Sequence, residues 1–273
     1  GLGTAHFAQL MVAITAWVSP VEGCNYCHNP ADLASDEKYT KVVSRRMLEM
    51  TQQINSQWQN HVVKTGVTCY TCHRGQPVPS DLWFNSVNTT RSPFAGNLAG
   101  QNLAAATVNY TSLPFDPMTT YLQGDASLVV GSATALPTGN RASIKQTEFT
   151  YALMTNISQS LGVNCTFCHN SRAFRDWTQS LPQRTTAWHA IRMSREINNQ
   201  YLVPLQSILP ASRLGPSGDA PKVGCVTCHK GVNKPLYGLQ MLVNDQALAA
   251  PVPSAVLAAP PAPTEGTPAT EPV

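Results

Sequence analysis

Apolar residues recur at helical spacing in four stretches of this chain, and each stretch meets a helix-stop signal. The first predicted helix runs from about Thr4 to Val18 and stops at Ser19-Pro20. The second takes Ser35 as its N-cap, with Asp36 and Glu37 in the first turn facing the helix dipole, and has Gly66 beyond its end. The third runs from about Gln146 to Ser160 with Gly162 as C-cap, and the fourth from about Thr185 to Val203, ended by Pro204. Between the second and third, residues 76–140 are rich in Pro, Gly, Asn and Thr. They read as a long connector with a short hairpin near Tyr121 to Ala135. From about Ala249 to Val273 a Pro/Ala-rich tail with almost no charge is expected to be disordered or draped over a surface.

Composition agrees with a mainly α fold carrying extensive loops. The 273 residues allow one or two domains, only 12% are charged, and 21 Pro with 17 Gly leave much backbone outside regular elements. The apolar run Leu10 to Val18 is too short to span a bilayer. The opening residues lack a charged signal-peptide start and read as mid-helix, so further residues are expected upstream, where a lipid or transmembrane anchor would lie.

Each predicted helix is followed by Cys-x-x-Cys-His: Cys24-Asn25-Tyr26-Cys27-His28, Cys69-Tyr70-Thr71-Cys72-His73, Cys165-Thr166-Phe167-Cys168-His169 and Cys225-Val226-Thr227-Cys228-His229. The pattern is the signature of c-type haem attachment, in which two thiols form thioethers and the histidine ligates iron. The four copies consume all eight cysteines. A disulfide framework belongs to much shorter secreted chains. Zinc pairs do not require a histidine after the second cysteine, and a thioredoxin-like site needs a βαβ context that is missing. Four covalently bound haem c groups are therefore expected. Their propionates turn the formal charge of +3 into about −5 when reduced and about −1 when oxidised, so the basic protein charge is no sign of nucleic acid. Haem c attachment also implies export from the bacterial cytoplasm.

The motifs fall into two similar pairs offset by roughly 140 to 155 residues, and Ile54-Asn55 and Ile197-Asn198 repeat between them. Two pseudo-symmetric dihaem halves are predicted. Residues 1–75 form the first dihaem segment, 76–140 the connecting segment, 141–235 the second dihaem segment and 236–273 the tail. Iron that only transfers electrons needs a second axial ligand. Met11 and Met154 lie 13 and 11 residues before Cys24 and Cys165 on the preceding helices, a parallel placement. Met47 and His61, about 21 Å apart on one helix and pointing within about 40°, would face different haems. Spacing does not choose between Met47 and Met50, and Met193 and His189 compete with His61 for the last haem.

The chain resembles the tetrahaem cytochrome c subunit of the purple bacterial photosynthetic reaction centre. The likeness is carried by Trp17-Val18-Ser19-Pro20 through Gly23-Cys24, Arg45-Arg46-Met47-Leu48-Glu49-Met50, Gly66 through Gly75, Asn164 through Asn170, Pro182-Gln183-Arg184, Ile191-Arg192-Met193 and Pro210 through Gly215. It covers about Phe7 to Leu236. The resemblance implies Met11, Met47 and Met154 as axial ligands to the haems on Cys24/Cys27, Cys69/Cys72 and Cys165/Cys168. It sends His61 across to the haem on Cys225/Cys228, leaving Met50, Met193 and His189 to packing and His6 without a role. It implies an electron carrier, not an enzyme, on the periplasmic side of the photosynthetic inner membrane. The partners would be the reaction-centre L and M subunits and a soluble cytochrome c or high-potential iron–sulfur donor, with no nucleic acid. The haem on Cys165/Cys168 would lie nearest the special pair and that on Cys24/Cys27 farthest. Arg184 and Arg192 are candidates for pairing with propionates or for plain surface solvation. A freestanding periplasmic shuttle and a multihaem reductase are the alternatives.

Overall fold

A computed structural model of the chain describes residues 2–86, 101–130 and 144–249. Helix α1 spans Thr4–Val18, as its pattern predicts. It ends where Ser19 N–H makes the last 2.9 Å bond to Thr15 O and Pro20 has no N–H to continue. Helix α2, Tyr39–Gln57, begins later than expected. Ser35 does not cap it: its Oγ accepts from Glu37 N–H (3.3 Å) in a turn, so Asp36 and Glu37 lie before the helix. Val43, Met47, Met50 and Ile54 then form a stripe at helical spacing that packs with Val62, Met193, Ile197, Leu202 and Leu205.

The second helix also breaks. Trp58 leaves helical geometry (φ −107°, ψ 32°) and a new turn, α3 (Gln59–Val62), starts from its carbonyl, which accepts from His61 and Val62 N–H. The rigid spacing expected between Met47 and His61 therefore does not hold. Gly66 (φ +62°) follows, as expected. The second motif is itself a one-turn helix, α4 (Cys69–His73).

No hairpin forms over the described part of 121–135. Thr119–Gln123 is a single wide helical turn that buries Tyr121 and Leu122 completely, and residues 131–135 lie outside the described residues. Trp83, Met118, Tyr121 and Leu122 from the connector 76–140 build a core with Leu153, Ile157, Ile191 and Cys225. Apolar side chains, not the polar composition, decide its packing. Among the described residues the strand-like pairings are two isolated bridges, Asn29 with Asp32 and Trp83 with Lys222. The fold is mainly α with extensive loops.

Helix α5 spans Ile144–Leu161 and closes at Gly162 (φ +65°), where an added Cβ would strike the Gly231 carbonyl. Helix α6 starts at Pro182, which occupies the first helical position rather than preceding the helix. It continues past Glu196 through a wide turn, Ile197–Leu202, and a tight turn, Val203–Ser207. Pro204 does not end this path. It sits second in the tight turn, where its missing N–H costs no bond. The fourth motif is α7, Cys225–His229. Of the tail, Gln246–Ala249 forms a turn on α2, with Leu248 buried and Asn55 Nδ2 donating to its carbonyl at 2.8 Å; residues 250–273 lie outside the described residues. Among the described residues no helix is long and apolar enough to cross a membrane.

Two asparagines tie the long helical segments to the even-numbered motifs. Asn55 receives Val67 N–H (2.8 Å) on Oδ1 and returns a bond to Val67 O (2.9 Å). Asn198 does the same with Val223, at 2.8 and 3.0 Å. Each clasp holds the residue two before the first cysteine of a motif.

Candidate haem-binding site

A helical turn brings positions i, i+3 and i+4 to one face, so both cysteines and the histidine of each motif aim the same way. The four motifs divide into two forms. The first and third enter tight turns, Gly23–Tyr26 and Cys165–Phe167, with Cys24 and Cys165 exposed. The second and fourth are α4 and α7, with Cys69 and Cys225 buried. Thr71 Oγ1 accepts Thr68 N–H (3.1 Å) and Thr227 Oγ1 accepts Gly224 N–H (3.0 Å), so each α turn opens on the same bond. Each closes on a left-handed cation, Arg74 or Lys230, and a glycine. Gly75 N–H then reaches Trp17 O at the end of α1 (2.8 Å), and Gly231 N–H reaches Ser160 O at the end of α5 (2.9 Å).

The histidines share one arrangement. Nδ1 of His28 bonds Leu33 O at 2.9 Å, His73 bonds Gln76 O at 2.8 Å, His169 bonds Phe174 O at 3.0 Å and His229 bonds Val232 O at 3.0 Å. A carbonyl only accepts, so each Nδ1 carries the proton and each Nε2 keeps its lone pair for a metal. Burial lowers His73, His169 and His229 below the ordinary imidazole value, which keeps them neutral. Burial first, then the neighbouring His229, pushes His61 down to about 4.

His28, His61, His73 and His229 line a cavity of about 1220 Å³ with a mainly apolar wall. It exceeds the roughly 300–1,000 Å³ of an ordinary small-molecule site. Cys24, Cys27, Cys69, Cys72, Cys168, Cys225 and Cys228 reach it, as do His28, His73 and His229. All eight cysteines are unbridged. Burial pushes the Cys69 thiol up to about 11 and Cys225 to about 12, so both stay protonated. Cys72 and Cys228 meet at 2.9 Å where α4 packs on α7, and that bond with burial pushes Cys72 up as well. Among the described residues no three His, Cys, Asp or Glu gather as a metal cluster. Apolar volume, free thiols and free imidazole nitrogens together fit haem.

Met11, Met47 and His61 all line the cavity. His61 comes from α3 to face His229, with ring centres 6.0 Å apart and planes at 55°. His61 Nδ1 bonds Thr186 O at 3.3 Å, leaving Nε2 free. Met50 and Met193 line the same cavity. Met154 and His169 stand outside it. Met154 is half-buried against the core that contains Leu153 and Ile157, while Phe167 and Cys168 of the third motif do line the cavity. His189 lies edge-on to Trp188, and His6 is exposed.

Several contributing residues carry no sequence motif. Thr15 and Thr51 each donate to the carbonyl of the methionine four residues earlier, Met11 and Met47, at 2.8 Å. The repeated Met-x-x-x-Thr spacing is the signal that could have found them. Arg184 is engaged by protein groups: it donates to Asp176 O (3.0 Å) and Ser180 Oγ (2.6 Å) and lies over Trp177. Arg192 is exposed over Trp188.

A family model described as photosynthetic reaction centre cytochrome C subunit matches residues 1–249. The photosynthetic reaction center cytochrome c subunit of Rubrivivax gelatinosus is 55% identical over 259 residues, covering 94% of this chain and 70% of that protein. That of Thermochromatium tepidum is 58% identical over 241 residues, 88% of this chain and 59% of the relative. That of Roseobacter denitrificans is 46% identical over 256 residues, 89% and 69%. The chain thus spans between 59% and 70% of the length of these relatives. A cytochrome c holds haem covalently and carries electrons, which is the chemistry this cavity suits: the chain belongs to the photosynthetic reaction centre cytochrome c subunit family, as an electron-transfer subunit.

Proposed function

We propose that the chain passes electrons from a soluble periplasmic donor, a small cytochrome c or high-potential iron–sulfur protein, to the photo-oxidised special pair. It would sit on the L and M subunits at the periplasmic face of the photosynthetic membrane and hold four haem c groups. The cysteine pairs Cys24/Cys27, Cys69/Cys72, Cys165/Cys168 and Cys225/Cys228 hold them. The axial pairs are Met11 with His28, Met47 with His73, Met154 with His169, and His61 with His229. Haem, when bound, supplies one-electron exchange at its iron. The residues fix ligand orientation and exclude water. The observation that carries this reading is the common state of the four motif histidines, each with Nδ1 tied to a backbone carbonyl and Nε2 free.

The two halves, residues 1–75 and 141–235 joined by 76–140 and followed by 236–273, are supported by the matched Asn55 and Asn198 clasps and the matched Gly75 and Gly231 bonds. Packing of α1 on α4, α4 on α7 and α7 on α5 supports the order first, second, fourth, third motif between donor and special pair.

His61→Met tests the ligand set. Thioether ligation raises potential relative to bis-imidazole, so redox titration of the complex should show one component, that of Cys225/Cys228, moving up while three hold. Movement of the Cys69/Cys72 component instead would overturn the assignment of His61.

A further inference from the structure

The helices after the first and third motifs each place a cation at their third position, Lys41 in α2 and Arg184 in α6. The Lys41 side chain is only 9% exposed. Its ammonium donates to three successive backbone carbonyls, Leu33 (2.8 Å), Ala34 (2.6 Å) and Ser35 (2.8 Å). The Asp36 carboxylate, about half exposed and shared with Arg45, stands 3.4 Å away. The Leu33 oxygen is also the acceptor for His28 Nδ1. One carbonyl therefore receives both the buried ammonium and the imidazole N–H.

Arg184 makes the corresponding contacts in the other half. Besides Asp176 O and Ser180 Oγ it reaches Arg175 O at 3.4 Å. Those carbonyls follow directly on Phe174, whose oxygen takes His169 Nδ1 and whose ring stacks on the imidazole at 5.2 Å. Counted from each histidine, the acceptor is the fifth residue and the clamped carbonyls are the fifth to seventh or the sixth and seventh. The even-numbered motifs differ. His73 and His229 use carbonyls three residues on, and among the described residues no cation is bonded to those oxygens. Burying an ammonium is costly unless every proton is met, so the arrangement at Lys41 is specific to this loop.

We infer that Lys41 and Arg184 are paired positioning residues for the axial imidazoles of His28 and His169, and that Lys41 also raises the reduction potential of the haem on Cys24/Cys27. This rests on the axial roles proposed above. A carbonyl bonded to Nδ1–H makes an imidazole a stronger donor. The ammonium on the same oxygen draws off that electron density, and its charge opposes the added positive charge of oxidised iron. Arg184, one carbonyl removed, acts mainly by holding the loop.

Lys41→Met in the whole complex, with haem content checked, tests this. At fixed ambient potential the oxidised-to-reduced ratio of the Cys24/Cys27 haem should rise roughly tenfold, about 59 mV for one electron, with the other three unchanged. Its ferric EPR signal should move as well, and Lys41→Arg should restore both. Asp36→Asn removes an exposed countercharge and should shift the same ratio about threefold the other way. An unchanged ratio and EPR signal with only lower thermal stability would leave Lys41 a merely structural residue and overturn the inference. If Lys41→Met fails to assemble, absence of the opposite shift in Asp36→Asn overturns it alone. A His28→Ala complex with an unaltered Cys24/Cys27 haem spectrum would instead refute the ligand assignment, whatever Lys41 does.

Discussion

Asn198 is fully buried and makes three bonds: Nδ2 to Leu122 O (2.8 Å) and Val223 O (3.0 Å), and Oδ1 from Val223 N–H (2.8 Å). Asn198→Ala removes all three. The Val223 carbonyl keeps Trp83 Nε1 at 3.0 Å, so the groups deprived of this partner are Val223 N–H and the Leu122 carbonyl. Each buried orphan costs about 1–3 kcal/mol, and two put the loss near 3–4 kcal/mol. At about 1.4 kcal/mol per tenfold, Val223 N–H should exchange with solvent some two orders of magnitude faster. Hydrogen exchange of the assembled complex, read on peptides spanning Val223, measures this directly. The isosteric Asn198→Asp separates bonding from packing. It keeps the acceptor for Val223 N–H but turns a carboxylate toward two carbonyls, so its exchange should be at least as fast as that of the alanine variant. Wild-type protection in Asn198→Asp would refute the clasp and leave Asn198 as filler. Asn55→Ala should open the Val67 segment in the same way and leave Val223 protected.

Burial alone would raise Asp219, but bonds from Asn85 N–H, Lys222 and Ser217 outweigh it and hold the carboxylate below its ordinary 3.8. A depressed carboxylate stabilises above its unfolded value and loses that contribution as pH falls through the folded one. The pairing of Trp83 with Lys222 should therefore hold at pH 5 and loosen only below 3.8, as followed by exchange of Trp83 and Asn85 amides. Lys222→Met strands the Asp219 carboxylate at a cost of about 3–5 kcal/mol and should move that transition to higher pH; an unmoved midpoint would contradict the pairing. Val63 holds φ 52° and ψ −146°, a conformation that strains a β-branched residue by about 1–3 kcal/mol. Since it is exposed, Val63→Gly should raise the melting temperature of the complex, and a lowered one would remove the strain argument.

Where the determining physics is local, the chain is legible one residue at a time. The limits of α1, the left-handed glycines Gly66 and Gly162, and the shared face of each Cys-x-x-Cys-His follow from backbone sterics and helical spacing alone. The misplaced boundaries at Ser35 and Pro204 and the unforeseen break at Trp58 share a cause, because local propensity carries no information about the partners that folding supplies. At Ser35 a competing side-chain turn takes the hydroxyl. At Trp58 the backbone departs so that α3 can face α7, and at Pro204 a tight turn needs no N–H from the proline.

By itself the sequence determined the chemistry: four Cys-x-x-Cys-His boxes, the methionines ahead of them and the duplicated spacing. Only the tertiary structure decided which atoms hold each histidine, how His61 meets His229 from the other end of the chain, and that Lys41 shares a carbonyl with His28. The physical reason is that these acceptors are backbone oxygens, identical at every residue. A backbone oxygen becomes a specific partner only when folding removes the water that would otherwise take its place.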